Sequence, residues 1–129
     1  MVINKKILDS LTQQAKDSPR LRVAFDLRNT VEDKSQRMLN ALEPGTIMPI
    51  HRHKETSETC VCIRGRFEEY FYDENGNLTD IIDMVPGGVV LNIEKGQWHS
   101  LKCLESGTVL FEAKDGPYHP LEEDEVWNG

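Results

Sequence analysis

A run of short strand-like segments, each closed by a turn residue, constrains this chain more than any other feature. LRVAFDL, QRMLNALE, TIMPIHRH, ETCVCIR, RFEEYFYD, LTDIIDMV, VVLNIE, QWHSLKC and TVLFEAKD follow one another between residues 21 and 115. Between them stand Pro44-Gly45, Gly65, Asp73–Asn77, Pro86-Gly87-Gly88, Lys95-Gly96 and, at the end, Gly116-Pro117. Asn75-Gly76 supplies the positive backbone torsions of a tight hairpin turn. Short strands at a spacing of about 8–12 residues predict a sandwich or a barrel. The N-terminus is the exception. Over residues 4–16 Ile7, Leu8, Leu11 and Ala15 recur on one helical stripe, with Asn4 as the N-cap and Ser18-Pro19 as the stop. The polar stretch from Asp26 to Ser35 reads as a loop.

A chain of 129 residues fits one domain. The expected layout is an N-terminal helix and lead-in strand in 1–35, a β-barrel in 36–115 and an acidic tail in 116–129. That tail, with PLEEDEVWNG at its end, reads as a solvated end. A net charge of −7 leaves no basic footprint for nucleic acid or an anionic membrane. A small anionic ligand stays compatible with it, because a metal or an arginine reverses the field inside a pocket. No apolar run approaches the ~20 residues of a membrane span, and MVINKKILDSL lacks the apolar core of a signal peptide. The expected location is the cytoplasm. Cys60, Cys62 and Cys103 make an odd count, which argues for reduced thiols.

The chemistry-bearing cluster lies in GTIMPIHRHKETSETCVCIRG, residues 45–65. On a strand, residues two apart point the same way, so His51 and His53 are expected to share a face and Arg52 to point outward. Glu58 follows on the next strand, and His99 lies in a later one. Three imidazoles and one carboxylate suit zinc, iron, manganese, nickel or cobalt. A His-x-His pair alone is more often two surface histidines, so the framing residues decide.

Those framing residues resemble the cupins. The first cupin motif runs glycine, five residues, His-x-His, three or four residues, glutamate, six residues, glycine; Gly45, His51, His53, Glu58 and Gly65 stand at every defined position. The second motif runs glycine, five residues, proline-x-glycine, two residues, histidine, three residues, asparagine. Gly88, Gly96 and His99 match it, while Glu94 and Cys103 replace the proline and the asparagine. QRMLNALEPGTIMPIHRH, CIRGRFEEYFYDENG and FEAKDGPYHP are further similar to the small WbuC-type cupin-fold metalloproteins of bacteria, some encoded near genes for O-antigen polysaccharide synthesis. The resemblance implies an all-β cupin jelly-roll barrel with a short N-terminal helix outside it. It also implies a divalent transition metal held by His51, His53, Glu58 and His99, a small-molecule ligand and a homodimer. Glu58 is the ligand that leaves the ion in some cupins.

Several further residues are candidates for the pocket or its surroundings. Cys60 and Cys62 share parity with Glu58. They read as small buried side chains, with a metal-proximal thiolate or a redox pair with Cys103 as the functional alternative. Arg66 and Tyr70 are candidates for the pocket rim. Trp98, beside His99, suits a sugar ring or the core. Gln36, Arg64 and Tyr118 are candidate outer partners of the site, and His119 reads as a loop histidine. The function expected is a metal-dependent enzyme of isomerase or epimerase type on a small carbohydrate-related, oxygen-rich molecule. A non-catalytic metal-dependent binding or sensor module, an iron-dependent dioxygenase and a purely structural metal are the rivals.

Overall fold

A computed structural model describes residues 1–129. The first helix, α1, spans Lys5–Asp17. Asn4 caps it by accepting from the Ile7 amide at 3.3 Å. Leu8, Leu11 and Ala15 of its apolar stripe are buried. Eight strands follow: β1 (Arg22–Asp26), β2 (Gln36–Leu42), β3 (Glu58–Arg64), β4 (Phe67–Tyr72), β5 (Leu78–Met84), β6 (Val90–Ile93), β7 (Trp98–Cys103) and β8 (Thr108–Lys114). They form two antiparallel sheets, one ordered β1-β2-β8-β3-β6 and the other β5-β4-β7. The two sheets face each other around a shared interior and form a jelly-roll barrel. No helix is long and apolar enough to cross a membrane.

Strand alternation gives the large sheet two different faces. Leu39 and Ala41 of β2 and Val109 of β8 point outward and receive Leu8, Leu11 and Ala15 of the helix. The opposite parity points inward, where Leu42, Cys60, Cys62 and Leu110 meet Phe67, Met84 and Cys103 of the small sheet. That second cluster closes one end of the barrel. The other end stays polar because Asn40, Glu58, Glu69, Glu112 and Lys114 sit in the same inward rows. Gly65 turns the chain between β3 and β4 at φ +84°, and a Cβ there would lie 2.7 Å from the Thr108 Cα. Both conditions select glycine.

Two expectations change. TIMPIHRH forms no strand: residues 43–57 are loop, apart from a single bridge at His51. Pro49 interrupts the row of amide donors, and the loop takes its hydrogen bonds from two sides instead. His51 exchanges backbone bonds with His99 at 3.0 and 2.8 Å. The acidic tail, expected to be a solvated end, packs back onto the barrel. Trp127 donates its amide to Ile50, and Arg52 donates to the Glu125 carbonyl. Glu125, in the short 3-10 turn Glu123–Glu125, is fully buried. The Trp127 ring meets Trp98 edge to face at 5.3 Å. The Glu and Asp residues of the tail hide two anchors, Glu125 and Trp127, that a count of charges does not reveal.

Candidate metal centre

The loop before β3 and the start of β7 bring His51, His53 and His99 together. One ring nitrogen from each lies within 4.8 Å of the others. The tautomers follow from backbone contacts. The His51 Nδ1 lies 2.9 Å from the Pro49 carbonyl oxygen, and the His99 Nδ1 lies 2.8 Å from that of Gln97. A carbonyl oxygen only accepts, so both Nδ1 atoms carry the hydrogen, and Nε2 is the nitrogen that each ring has left to direct at an ion. This is the arrangement by which proteins orient histidines towards an ion.

Glu58, first residue of β3, is buried and directs Oε1 at the His99 Nε2 from 2.9 Å. Two acceptor lone pairs at that distance repel unless a proton or a cation is held between them. Burial, followed by the proximity of His99, pushes the His51 imidazole down to about 3. Burial and the Lys114 ammonium push that of His53 down to about 4. Both rings are therefore neutral ligands. Burial opposes ionisation of Glu58, but its bond to His99, together with Glu112 and Lys114, holds the carboxyl below its usual range. The donor set fits a divalent transition metal: three imidazoles of fixed or neutral form and one ionised carboxylate.

A cavity of about 430 Å³ opens onto this cluster. Cys60 lines it; Arg66, Tyr70 and Trp98 do not. Arg66 forks onto Asp83 at 2.8 and 3.3 Å on the outside of the small sheet. The Tyr70 hydroxyl donates to Glu68 at 2.9 Å. Trp98 is buried, donates to Glu74 at 3.2 Å and carries the Arg52 guanidinium 4.5 Å above its ring. Cys60, Cys62 and Cys103 are buried free thiols. Arg64 ties the helix down through Asp9 and Thr12. Gln36 donates to the Gly116 carbonyl at 2.8 Å, leaving its Oε1 without a partner. Tyr118 and His119 line a second, smaller cavity with Gln36, and His119 Nδ1 lies 3.9 Å from Glu125.

Sequence reasoning missed Arg22, Asn40, Glu69, Glu112 and Lys114, all of which line the main cavity. Asn40 Nδ2 donates to Glu112 Oε1 at 2.7 Å. Burial and the neighbouring Glu58 carboxylate push the Glu112 carboxyl up to about 8. Glu69 is 3% exposed, and burial, then Glu58 and Glu112, raises its carboxyl well above the usual range. The missed signal was parity. Glu69 shares a row with Phe67 and Phe71, and Glu112 and Lys114 share one with Leu110. Charges in an otherwise apolar inward row mark a polar barrel interior.

A closed pair of antiparallel sheets with histidines gathered at its open end is the architecture of the cupins. The structure of KdgF from Halomonas sp. matches with a TM-score of 0.63 at 15% identity, over 79% of this chain and 84% of that one. A single-residue variant of oxalate decarboxylase from Bacillus subtilis matches at 0.60 and 24% identity, over 81% of this chain and 27% of that one. The same decarboxylase, studied for its Mn(II) centres, matches at 0.59 and 24% identity, over 82% of this chain and 27% of that one. The chain thus spans about a quarter of the oxalate decarboxylase chain (27%), and at these identities the likeness is one of fold. The chain belongs to the family described as a domain of unknown function, DUF6016, whose profile matches residues 3–84. No curated protein sequence matches it.

Proposed function

We propose that this protein is a metal-dependent enzyme that takes a divalent transition metal at His51, His53, His99 and Glu58 and isomerises or epimerises a small hydroxylated, carbohydrate-related molecule. The observation that carries the metal is the convergence of one ring nitrogen each from His51, His53 and His99 within 4.8 Å, with Glu58 Oε1 2.9 Å from the His99 Nε2. A bound ion supplies Lewis acidity to a substrate oxygen.

The chain supplies the acid–base groups. Glu112 Oε1 accepts from Asn40, and burial with the neighbouring Glu58 carboxylate keeps the Glu112 carboxyl protonated up to about pH 8. The Glu69 carboxyl lines the cavity, with its proton available to a substrate oxygen. Buried carboxyls with raised pKa are suited to proton transfer near neutral pH. Carboxyls that hold a proton inside the cavity support an enzyme over a non-catalytic binding module. The sequence likeness to the WbuC-type proteins supports a carbohydrate-related substrate.

The test is solvent exchange. Metal-loaded protein is incubated in D2O with aldoses, ketoses and uronates, and the carbon-bound hydrogens next to the carbonyl are followed by NMR. Deuterium should enter one of these positions, and Glu69→Gln should slow its entry by about 10²-fold or more. A loaded, folded protein that exchanges no substrate hydrogen contradicts the isomerase reading.

A further inference from the structure

The arginines of this acidic chain divide into three groups. Arg28, Arg37, Arg64 and Arg66 each pair with an aspartate. Arg52 lies over Trp98 and donates to the Asp124 carbonyl. Arg20 and Arg22 form no ion pair, and both line the main cavity. Arg22 is half-buried. Its Nη1 reaches only neutral acceptors, the Ile47 carbonyl oxygen at 3.3 Å and the Met48 sulfur at 3.1 Å. Burial presses against its charge and lowers its pKa. A partly desolvated guanidinium without an anion is costly, and such groups are ordinarily paired.

The backbone holds this pair in place. Leu21, between them, has φ +55°, a left-handed torsion that non-glycine residues rarely adopt. Its amide donates to Ser18, and its carbonyl accepts from Glu43. Gly45 lies against its side chain, so close that a Cβ there would stand 3.0 Å from Leu21 Cδ1. The strained turn is locked on both sides.

Exposure is graded along the cavity. Arg20 is exposed and Arg22 half-buried, whereas Glu58 and His99 of the proposed ligand set are buried. Lys114, 3.9 Å from Glu58 Oε2, is already committed to that carboxylate. At the rim an anionic group meets two guanidinium groups that no carboxylate of the chain neutralises. Building on the enzyme reading above, we infer that the substrate is a small hydroxylated carboxylate whose acid group is held at the cavity mouth by the Arg22 fork, its hydroxyl-bearing end directed to His51, His53 and His99. A carboxylate carries one charge and fits a guanidinium fork in two parallel bonds. A volume of about 430 Å³ suits a molecule of monosaccharide size.

Isothermal titration of metal-loaded protein tests this with D-glucuronate, D-glucose and D-glucose 6-phosphate, metal content being measured on the same samples. Glucuronate should bind about tenfold or more tightly than glucose. Arg22→Gln should erase that preference, and Arg22→Lys should retain part of it. Arg66→Gln, which removes the same charge outside the cavity, should leave it intact. Melting curves establish that each variant is folded. The inference is overturned if glucose binds as tightly as glucuronate, if folded Arg22→Gln keeps the preference, if the phosphate binds more tightly than the carboxylate, or if none of the three binds at millimolar concentration. A protein that takes up no metal yet shows the Arg22-dependent preference would sink the metal reading and leave this inference standing.

Discussion

His99 carries the tightest constraint of any single residue. Its Nδ1 is spent on the Gln97 carbonyl, its Nε2 faces a carboxylate, and its backbone pairs with that of His51. Cys62 and Cys103 show the opposite case, that of small buried side chains packed outside the cavity. Burial pushes the Cys62 thiol up to about 11 and raises that of Cys103. Both therefore stay protonated near neutral pH, whereas an unperturbed thiol ionises at about 8.5. A raised folded-state pKa contributes stability that is present below the unfolded value and lost as pH rises through about 11 for Cys62. Iodoacetamide should leave the native thiols unmodified near neutral pH, and all three should react once the chain is unfolded in guanidinium, as read by mass spectrometry. Rapid alkylation of Cys62 or Cys103 in the native protein would contradict this placement.

Among the elements, the returning tail does most to shape the site. The Glu125 carboxylate accepts from the amides of Lys54 and Glu122, each at 2.9 Å, and its backbone carbonyl accepts from Arg52. These bonds flank His53 and fix a loop that has no strand to hold it. Glu125→Ala leaves the Lys54 and Glu122 amides without their acceptor, which costs about 1–3 kcal/mol. It should weaken metal binding by about 10–100-fold while His51, His53, Glu58 and His99 are all retained. Urea denaturation and a metal titration read the two effects separately. Unchanged metal affinity would mean that the tail merely covers the barrel. The tail was the least legible element in the sequence, because its two anchors are diluted by acidic neighbours and form no period. The helix, by contrast, was legible to within a residue at each end, since a cap, an apolar stripe and a proline stop coincide. TIMPIHRH misled for a further reason. Its alternation mimics a strand, but Pro49 and two different hydrogen-bonding neighbours, β7 and the tail, make it a bridge.

At the scale of the whole molecule, the barrel has an apolar end and a polar end, and the motif residues mark only part of the polar one. His51, His53, Glu58 and His99 were legible because their spacing between glycines is unusual. Glu69 and Glu112 were not, since a single charged residue in an apolar row is ambiguous until the sheet closes and shows which face is inside. Arg22 was hidden for a different reason: whether an arginine is paired depends on contacts that sequence spacing does not encode. The polar end has its proposed chemistry only if an ion sits between Glu58 and the histidines. Elemental analysis of purified protein, after exposure to micromolar zinc, iron, manganese, nickel and cobalt and removal of excess metal, tests this most directly. The expected result is about one transition-metal ion per chain in the wild type and far less in a folded His99→Ala variant. A wild-type chain that retains no transition metal would contradict it.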